Sequence, residues 1–482
     1  MINIRIVARA FSQVLIFEGV FMLISAGVSR IYGEPAASSL LYSAIITLIT
    51  GFLVFTPLRH AERVYGTREG FVIITCIWIL FSAFGSLPYL FSSSAGSFTD
   101  AFFESISGFT TTGATIFTDV ESLPKGILFW RSLTQWLGGI AIITLSFYVL
   151  PVIKSLNIQL ATTEFSGQMT DKIHPKVIGT TKRLISIYIM LTIAEALLLL
   201  IGKMPLFDSI CHSLSTLPTG GFSTRNHGIA EFSSPFIRAV ITIFMFVAGT
   251  NLALIYFAIK RNFRKIIRNS EFVFYTLLAA GFSIVIAILL TYGPGVSVST
   301  ALSDGFFNTI SIITTTGFYT SNFSQWGNLA VIIIFILMFT GGMAGSTSGG
   351  IKIIRLMIIT KNVGNEARRL LHPSAYLPVR IDKKRVPQNT VYNLLIFIIL
   401  YFFTLCAGSL LISFLDYDVI TSFSTTASML GNIGPGLGSF GPFTNYSDMA
   451  STGKWILCGL MLMGRLELLT VIVLFSRSFY KR

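Results

Sequence analysis

Thr314-Thr315-Thr316-Gly317-Phe318 lies between two long apolar runs, and it is one of four such clusters. The others read Thr110-Thr111-Thr112-Gly113-Ala114, Pro218-Thr219-Gly220-Gly221-Phe222 and Gly431-Asn432-Ile433-Gly434-Pro435. Aligned on Gly113, Gly221, Gly317 and Gly434, successive copies are 108, 96 and 117 residues apart. Asp100, Asp208 and Asp304 each stand 13 residues before the aligned glycine, and Thr421 holds that place in the fourth copy. Each cluster closes a weakly apolar segment (102–114, 208–222, 304–318 and 421–435) that is too short to cross a membrane. An internal repeat outranks any local motif in deciding a fold. One Thr-Thr-Thr-Gly would be an ordinary turn or a small-residue packing contact, but four in matched settings call for a common purpose.

Outward from the clusters, the chain is a series of apolar runs long enough to cross a hydrocarbon core of about 30 Å. They fall near 10–29, 37–58, 70–92, 127–151, 184–202, 236–259, 272–292, 326–359, 391–415 and 455–476. Of 482 residues, 53% are hydrophobic and 12% charged, about half the ~25% charge of a soluble domain. A soluble enzyme and a disordered binding protein are both excluded. The formal charge of +14 does not indicate a nucleic-acid partner, because the basic residues crowd into short stretches between the runs. With both termini inside, 27 of the 35 Lys and Arg residues fall on the inner side and seven on the outer. That bias sets the orientation of a multi-pass membrane protein, with lipid around it. No cleavage pattern follows Arg5 and Arg9, so the first run is read as a retained span. Cys76, Cys211, Cys406 and Cys458 show no metal-ligand spacing and are read as free thiols.

The fold expected is an all-α membrane protein with four pseudo-symmetric span–pore helix–span units around a central pore, plus two N-terminal spans. The leading pair covers 1–69, and the units cover 70–170, 171–268, 269–385 and 386–482. Irregular backbone at membrane depth is tolerated only where protein buries it or it lines a wet cavity. Four turns entering from one side meet that condition together by converging on one axis, with their carbonyls as stacked rings of partial negative charge. Such rings replace the hydration shell of a cation. Glycine at the aligned position permits positive φ, and the neighbouring threonines offer hydroxyl oxygens. The candidate ligands are Thr110, Thr111, Thr112 and Gly113; Thr219, Gly220 and Gly221; Thr315, Thr316, Gly317 and Phe318; and Asn432, Ile433 and Gly434. No carboxylate lies in any cluster, which suits weak, multi-site coordination of a monovalent ion. The pore helices point their negative C-terminal ends inward and so favour a cation.

The eighth run contains Gly341, Gly342, Gly345, Ser346, Thr347, Gly349 and Gly350. At about 1 kcal/mol per glycine relative to alanine, five glycines in ten residues break a helix. A packing seam would instead space its small residues four apart. The segment is expected to be a mobile loop under the filter; it lacks the Lys-Ser/Thr pair of a phosphate-binding loop. Arg465 lies within the last run and should face the interior, projecting into the pore or anchoring the glycine loop through its carbonyls. Glu467, two residues on, does not share its helix face. Asn251 is read as a helix-packing amide in preference to a pore-lining one, Glu104 and Glu195 as interhelical hydrogen-bond partners, and Asp100, Asp208 and Asp304 as pore-helix caps that make the outer mouth negative. His60, His174 and His372 fall in inner loops, and His212 and His227 in the second outer connection.

With these motifs the chain resembles the bacterial Trk/Ktr potassium-uptake family, specifically its TrkH-type membrane subunits, over essentially its whole length. The resemblance rests on residues 110–114, 219–223, 315–319 and 432–436, on the glycine segment 341–350, and on a basic residue in the last span. It implies K+ as the ion bound and transported, 341–350 as an intramembrane gate, and Arg465 as the basic gating residue. It also implies a homodimer with one pore per protomer and a cytosolic nucleotide-binding partner resembling TrkA. Each cluster keeps one aligned glycine where a tetrameric potassium channel has TVGYG, so weaker discrimination among monovalent cations is expected. The alternatives are a low-selectivity cation channel and an alternating-access carrier coupling K+ to Na+ or H+, although a carrier would show paired inverted repeats. An enzyme is not expected, because no His, Asp, Glu or Ser constellation shares one depth.

Overall fold

The computed structural model describes residues 2–60, 66–154, 177–293 and 295–480. His174 and the inner basic residues Arg63, Lys172, Lys176, Lys481 and Arg482 lie outside them. Among the described residues the protein is helical, apart from a hairpin of Arg380–Ile381 with Lys384–Arg385. All four cysteines are free.

Two leading helices, Ile4–Ile31 and Ala36–Leu58, pack along each other. The approach is close because a Cβ on Gly51 would lie 2.8 Å from Ile16 Cγ1. Outward residues such as Leu53 and Ile49 remain exposed, as lipid-facing side chains should. The hairpin docks through Glu34, whose carboxylate accepts from Lys125 N at 2.8 Å and Gly126 N at 3.1 Å. That fixes the start of the first unit's inner helix, Lys125–Lys154.

Four short helices follow in the outer connections: Phe98–Phe109, Leu206–Thr216, Val298–Ile313 and Val419–Gly431. Their 11 to 16 residues reach about 16–24 Å at 1.5 Å per residue, short of a full crossing. Ser97, Ser297 and Asp418 cap the first, third and fourth by accepting from Asp100 N, Thr300 N and Thr421 N. The Thr421 hydroxyl and backbone N–H also hold the Asp418 carboxyl below its ordinary value. Asp100, Asp208 and Asp304 are therefore not caps. They form ion pairs instead, with Lys454 at 2.6 Å, Arg225 at 2.8 Å and Arg238 at 3.7 Å. Pairing cancels most of the negative potential expected from them at the outer mouth.

Two expected spans are broken. Pro235–Ala248 and Leu252–Ile259 meet at 111°, and Ser451–Arg465 and Leu468–Leu474 at 112°. At the first break Asn251 is an N-cap, its Oδ1 accepting from Ala253 N at 2.8 Å, rather than a packing amide. At the second, Glu467 has φ 59° and pairs with Arg355 at 2.7 Å. The run 326–359 is also split, into Asn328–Leu337 and Ile353–Leu371. Six described helices are therefore long and apolar enough to cross a membrane, or eight if each bent pair counts once. Glu104 bonds across helices to Arg131 at 2.7 Å. Glu195 is fully buried with Thr216 of another helix beside it, although neither of its oxygens meets a donor at full hydrogen-bond geometry among the described residues.

Candidate functional site

Every pore helix ends in the same hydrogen-bonded turn. The residue two before the aligned glycine donates its N–H three residues back: Thr111 to Gly108, Thr219 to Thr216, Thr315 to Ile312 and Asn432 to Met429. The next residue donates five back, Thr112 to Ser107, Gly220 to Ser215, Thr316 to Ser311 and Ile433 to Ser428, and all eight bonds measure 2.8–3.2 Å. This is the Schellman closure of a helix C-terminus, which glycine or asparagine usually occupies at the left-handed position. Here three of the four are threonines, with φ 53°, 56° and 57° at Thr111, Thr219 and Thr315, and Asn432 has φ 54°. A β-branched residue there is an outlier, at a cost of about 1–2 kcal/mol each. Strain repeated three times at one register is retained for what the side chain does.

The aligned glycines turn positive again, with φ 84°, 81°, 77° and 104° at Gly113, Gly221, Gly317 and Gly434. Alternating the sign of φ brings successive carbonyls to one side of a strand. The strands also close a ring. A Cβ on Gly113 would strike Gly220 O, one on Gly221 would strike Thr316 O, and one on Gly317 would strike Ile433 O. On Gly434 it would lie 2.6 Å from Thr112 O, which returns to the first strand. Each glycine thus abuts the middle carbonyl of the next unit, and all four line one outer vestibule. No Cβ fits at any of them.

At the base of this ring Thr111 Oγ1 is buried without a partner among the described residues, Thr219 Oγ1 bonds Pro218 O, and Thr315 Oγ1 accepts from Gly349 N at 2.7 Å. Asn432 Nδ2 reaches the first strand at Thr112 Oγ1, 3.0 Å away. Two candidate ligands stand at the ends of the ring. Thr110 is the last turn of its helix, with Oγ1 folded onto Ile106 O, and Phe318 turns its carbonyl to Ser311 Oγ.

The glycine segment 341–350 lies directly beneath. Thr347 Oγ1 donates to Leu217 O at 3.0 Å, Gly349 N bonds Thr315, and a Cβ on Gly349 would strike Gly431 O. The loop therefore touches the inner ends of the second, third and fourth units. It is held from the sides by Met343 N to Gly249 O at 2.8 Å and Ala344 N to Glu271 Oε1 at 2.7 Å. Lys352 Nζ donates to Ser348 O at 2.8 Å. Gly341, Gly342, Gly345, Ser346 and Gly350 complete it, with φ +78° at Gly345 and +63° at Gly350. Arg465 ends its helix beside Gly464, whose Cβ would strike Leu430 O under the fourth strand. The expected anchoring of the loop by Arg465 is absent: its Nε and Nη2 are buried with no hydrogen-bond partner among the described residues.

The residues that brace the ring from behind were not singled out as a set from the sequence. Nine residues before the aligned glycine stand Glu104, His212 and Asn308. Glu104 accepts from Ile116 N at 2.9 Å, His212 Nε2 meets Ser223 Oγ at 3.0 Å, and Asn308 Nδ2 donates to Thr320 Oγ1 at 2.9 Å. The constant spacing was legible, but the unlike side chains concealed a shared role. Gln135, on the inner helix, also grips both sides of Gly221, through Gly220 O at 2.7 Å and Phe222 N at 3.1 Å.

A family model described as "TrkH", "Cation transport protein", matches residues 39–480. The chain is 35% identical to the Trk system potassium uptake protein TrkH of Salmonella typhimurium, over 97% of each chain. It is 35% identical over the full length of the TrkH of Halomonas elongata. The crystal structure of the potassium transporter TrkH from Vibrio parahaemolyticus superposes with a TM-score of 0.90 at 32% identity, covering 100% of both chains.

Proposed function

The chain belongs to the TrkH family of cation transport proteins, and from that premise we propose that K+ crosses the ring of four glycine turns under control of the loop beneath it. The protein takes up potassium across the cytoplasmic membrane as part of a Trk-type system; it is a transporter and not an enzyme. The ion exchanges water for oxygens of the ring formed by residues 111–113, 219–221, 315–317 and 432–434, with Thr110 and Phe318 at its two ends. The observation that carries this reading is the closed sequence of contacts from Gly113 through Gly221, Gly317 and Gly434 back to Thr112.

Residues 341–350 obstruct the path in the arrangement described, because the loop is bonded to filter and pore-helix ends of three units. Movement of the loop opens it. Arg465, whose Nε and Nη2 are buried with no hydrogen-bond partner among the described residues, lies beside the inner end of the fourth unit and opposes cations until the loop shifts. Two copies pair, each with its own pore. A cytosolic nucleotide-binding ring resembling TrkA docks on the basic inner face around 352–385 and drives the gate, a role the resemblance supplies.

The test is uptake in a potassium-uptake-deficient cell, comparing wild type with Gly113→Ser and with 341–350 shortened. The first should lose selectivity and the second should leak. Wild-type selectivity in Gly113→Ser would remove the filter from this reading. Single-channel currents of fixed amplitude separate a pore from an alternating-access carrier.

A further inference from the structure

Three filter carbonyls are held by side-chain donors, each at a different level. Counting from the aligned glycine, Gly220 O stands one residue before and accepts from Gln135 Nε2 at 2.7 Å. Gly434 O, at the glycine itself, accepts from Tyr446 Oη at 3.0 Å. Phe318 O, one residue after, accepts from Ser311 Oγ at 2.6 Å. The captured oxygens belong to the second, fourth and third strands, so the gaps are staggered around the axis. At the lowest level, formed by Thr111, Thr219, Thr315 and Asn432, none of the four carbonyls has a side-chain donor among the described residues.

We propose that Gln135, Tyr446 and Ser311 are specificity-determining positioning residues, each withdrawing one carbonyl from the passing ion, so that only the lowest level offers K+ a complete ring of four. This deepens the filter reading above and rests on it. A donor from the surrounding protein occupies a lone pair and turns the C=O toward itself, and water fills the gap left at the axis. Selectivity for K+ depends on the number and field strength of the coordinating carbonyls. A level with three oxygens and a water accommodates Na+ with part of its shell, which a complete ring does not.

A fourfold register shows that the capture at Ser311 is particular to its strand. Ser107, Ser215, Ser311 and Ser428 all stand six residues before the aligned glycine. Among the described residues the hydroxyls of Ser107, Ser215 and Ser428 are buried without partners, and of the four only Ser311 takes a carbonyl. The lowest level gains further oxygens from side chains, since Thr111 Oγ1 and Asn432 Oδ1 are buried beside it with no hydrogen-bond partner among the described residues. The strongest K+ site is therefore at the base of the filter, next to the gating loop.

The experiment is the K+/Na+ permeability ratio from bi-ionic reversal potentials of the full-length protein in lipid vesicles. Tyr446→Phe keeps the ring stacked on Phe440 at 4.6 Å and removes only the hydroxyl; Ser311→Ala does the same at its level. Each should raise the ratio about three- to tenfold, the size of one hydrogen bond's net contribution, with K+ conductance retained. Ser107→Ala and Ser215→Ala remove hydroxyls that hold no carbonyl and should leave it unchanged. If neither Tyr446→Phe nor Ser311→Ala raises the ratio while Gly317→Ser lowers it, the capture proposal is wrong and the filter stands. If Gly317→Ser also matches wild type, the filter reading falls with it. Gln135→Met is the third variant should either of the first two fail to fold.

Discussion

Asn432 joins the last filter strand to the first: its Nδ2 donates to Thr112 Oγ1 at 3.0 Å and to Met461 O at 3.0 Å. The two filter residues are 320 apart in sequence, and this amide closes the seam of the ring. It replaces the threonine of the other three strands, and an asparagine tolerates the left-handed backbone better than a β-branched residue does.

Asn432→Gly keeps the left-handed turn unstrained and deletes only the amide. The expected result is a filter open at one seam, with K+ flux retained and Na+ permeability relative to K+ raised about three- to tenfold. Paired 86Rb+ and 22Na+ uptake into vesicles measures it. Equal ratios for variant and wild type would show that the seam is held by backbone packing alone.

Thr111 tests what the strained threonines are for. Its hydroxyl has no partner among the described residues, so Thr111→Gly loses no hydrogen bond seen there and relieves about 1–2 kcal/mol of backbone strain, partly offset by about 1 kcal/mol of glycine chain entropy. The thermal midpoint should hold or rise slightly while K+ uptake falls. A fall in both would mean that the methyl group packs the base of the ring and that the hydroxyl is incidental.

The repeat made the architecture legible, because Gly113, Gly221, Gly317 and Gly434 mark the places where no Cβ fits, and steric exclusion leaves its imprint on residue type. The spans were legible less evenly. Asn251 read as a packing amide inside a helix, and only the capping bond it accepts from Ala253 N reveals a corner of 111°. Asp100, Asp208 and Asp304 shared a spacing, yet their partners Lys454, Arg225 and Arg238 stand at unlike separations of 354, 17 and 66 residues, and partners without a common spacing leave no repeat to read. Gln135 and Tyr446 were missed for the same reason. Each touches the filter from an element whose own sequence carries no repeat.

The glycine loop is latched by few bonds. Thr347 Oγ1 to Leu217 O, at 3.0 Å, is one of two hydrogen bonds among the described residues that hold its tip to the filter side. Thr347→Val preserves shape and removes the donor, at a cost of about 0.5–1.5 kcal/mol to the closed arrangement. Basal K+ conductance without any partner should rise about two- to tenfold, read as open probability in single-channel recordings. An unchanged open probability would place the gate's stability in the lateral contacts to Gly249 and Glu271.

Arg131 and Glu104 form the most deeply buried ion pair in the described residues, at 2.7 Å with side chains 2% and 0% exposed. Glu104 also accepts from Thr115 Oγ1 at 3.0 Å and Ile116 N at 2.9 Å, while Arg131 Nη1 donates to Ser223 O at 3.2 Å. The pair thus couples the segments that leave the first and second filter strands. Breaking it one-sidedly strands a buried charge, a loss of about 3–5 kcal/mol, whereas replacing both partners by apolar residues of similar volume is often neutral. Glu104→Gln and Arg131→Met should each lower the thermal midpoint sharply in detergent, and Glu104→Met with Arg131→Met should recover much of it. Stability and function then part company. The double variant regains its fold but lacks the link to Ser223, so its K+ selectivity should stay below wild type. Recovery of both together would show that the pair serves folding alone and that the second strand is positioned by Gln135 and His212 without it.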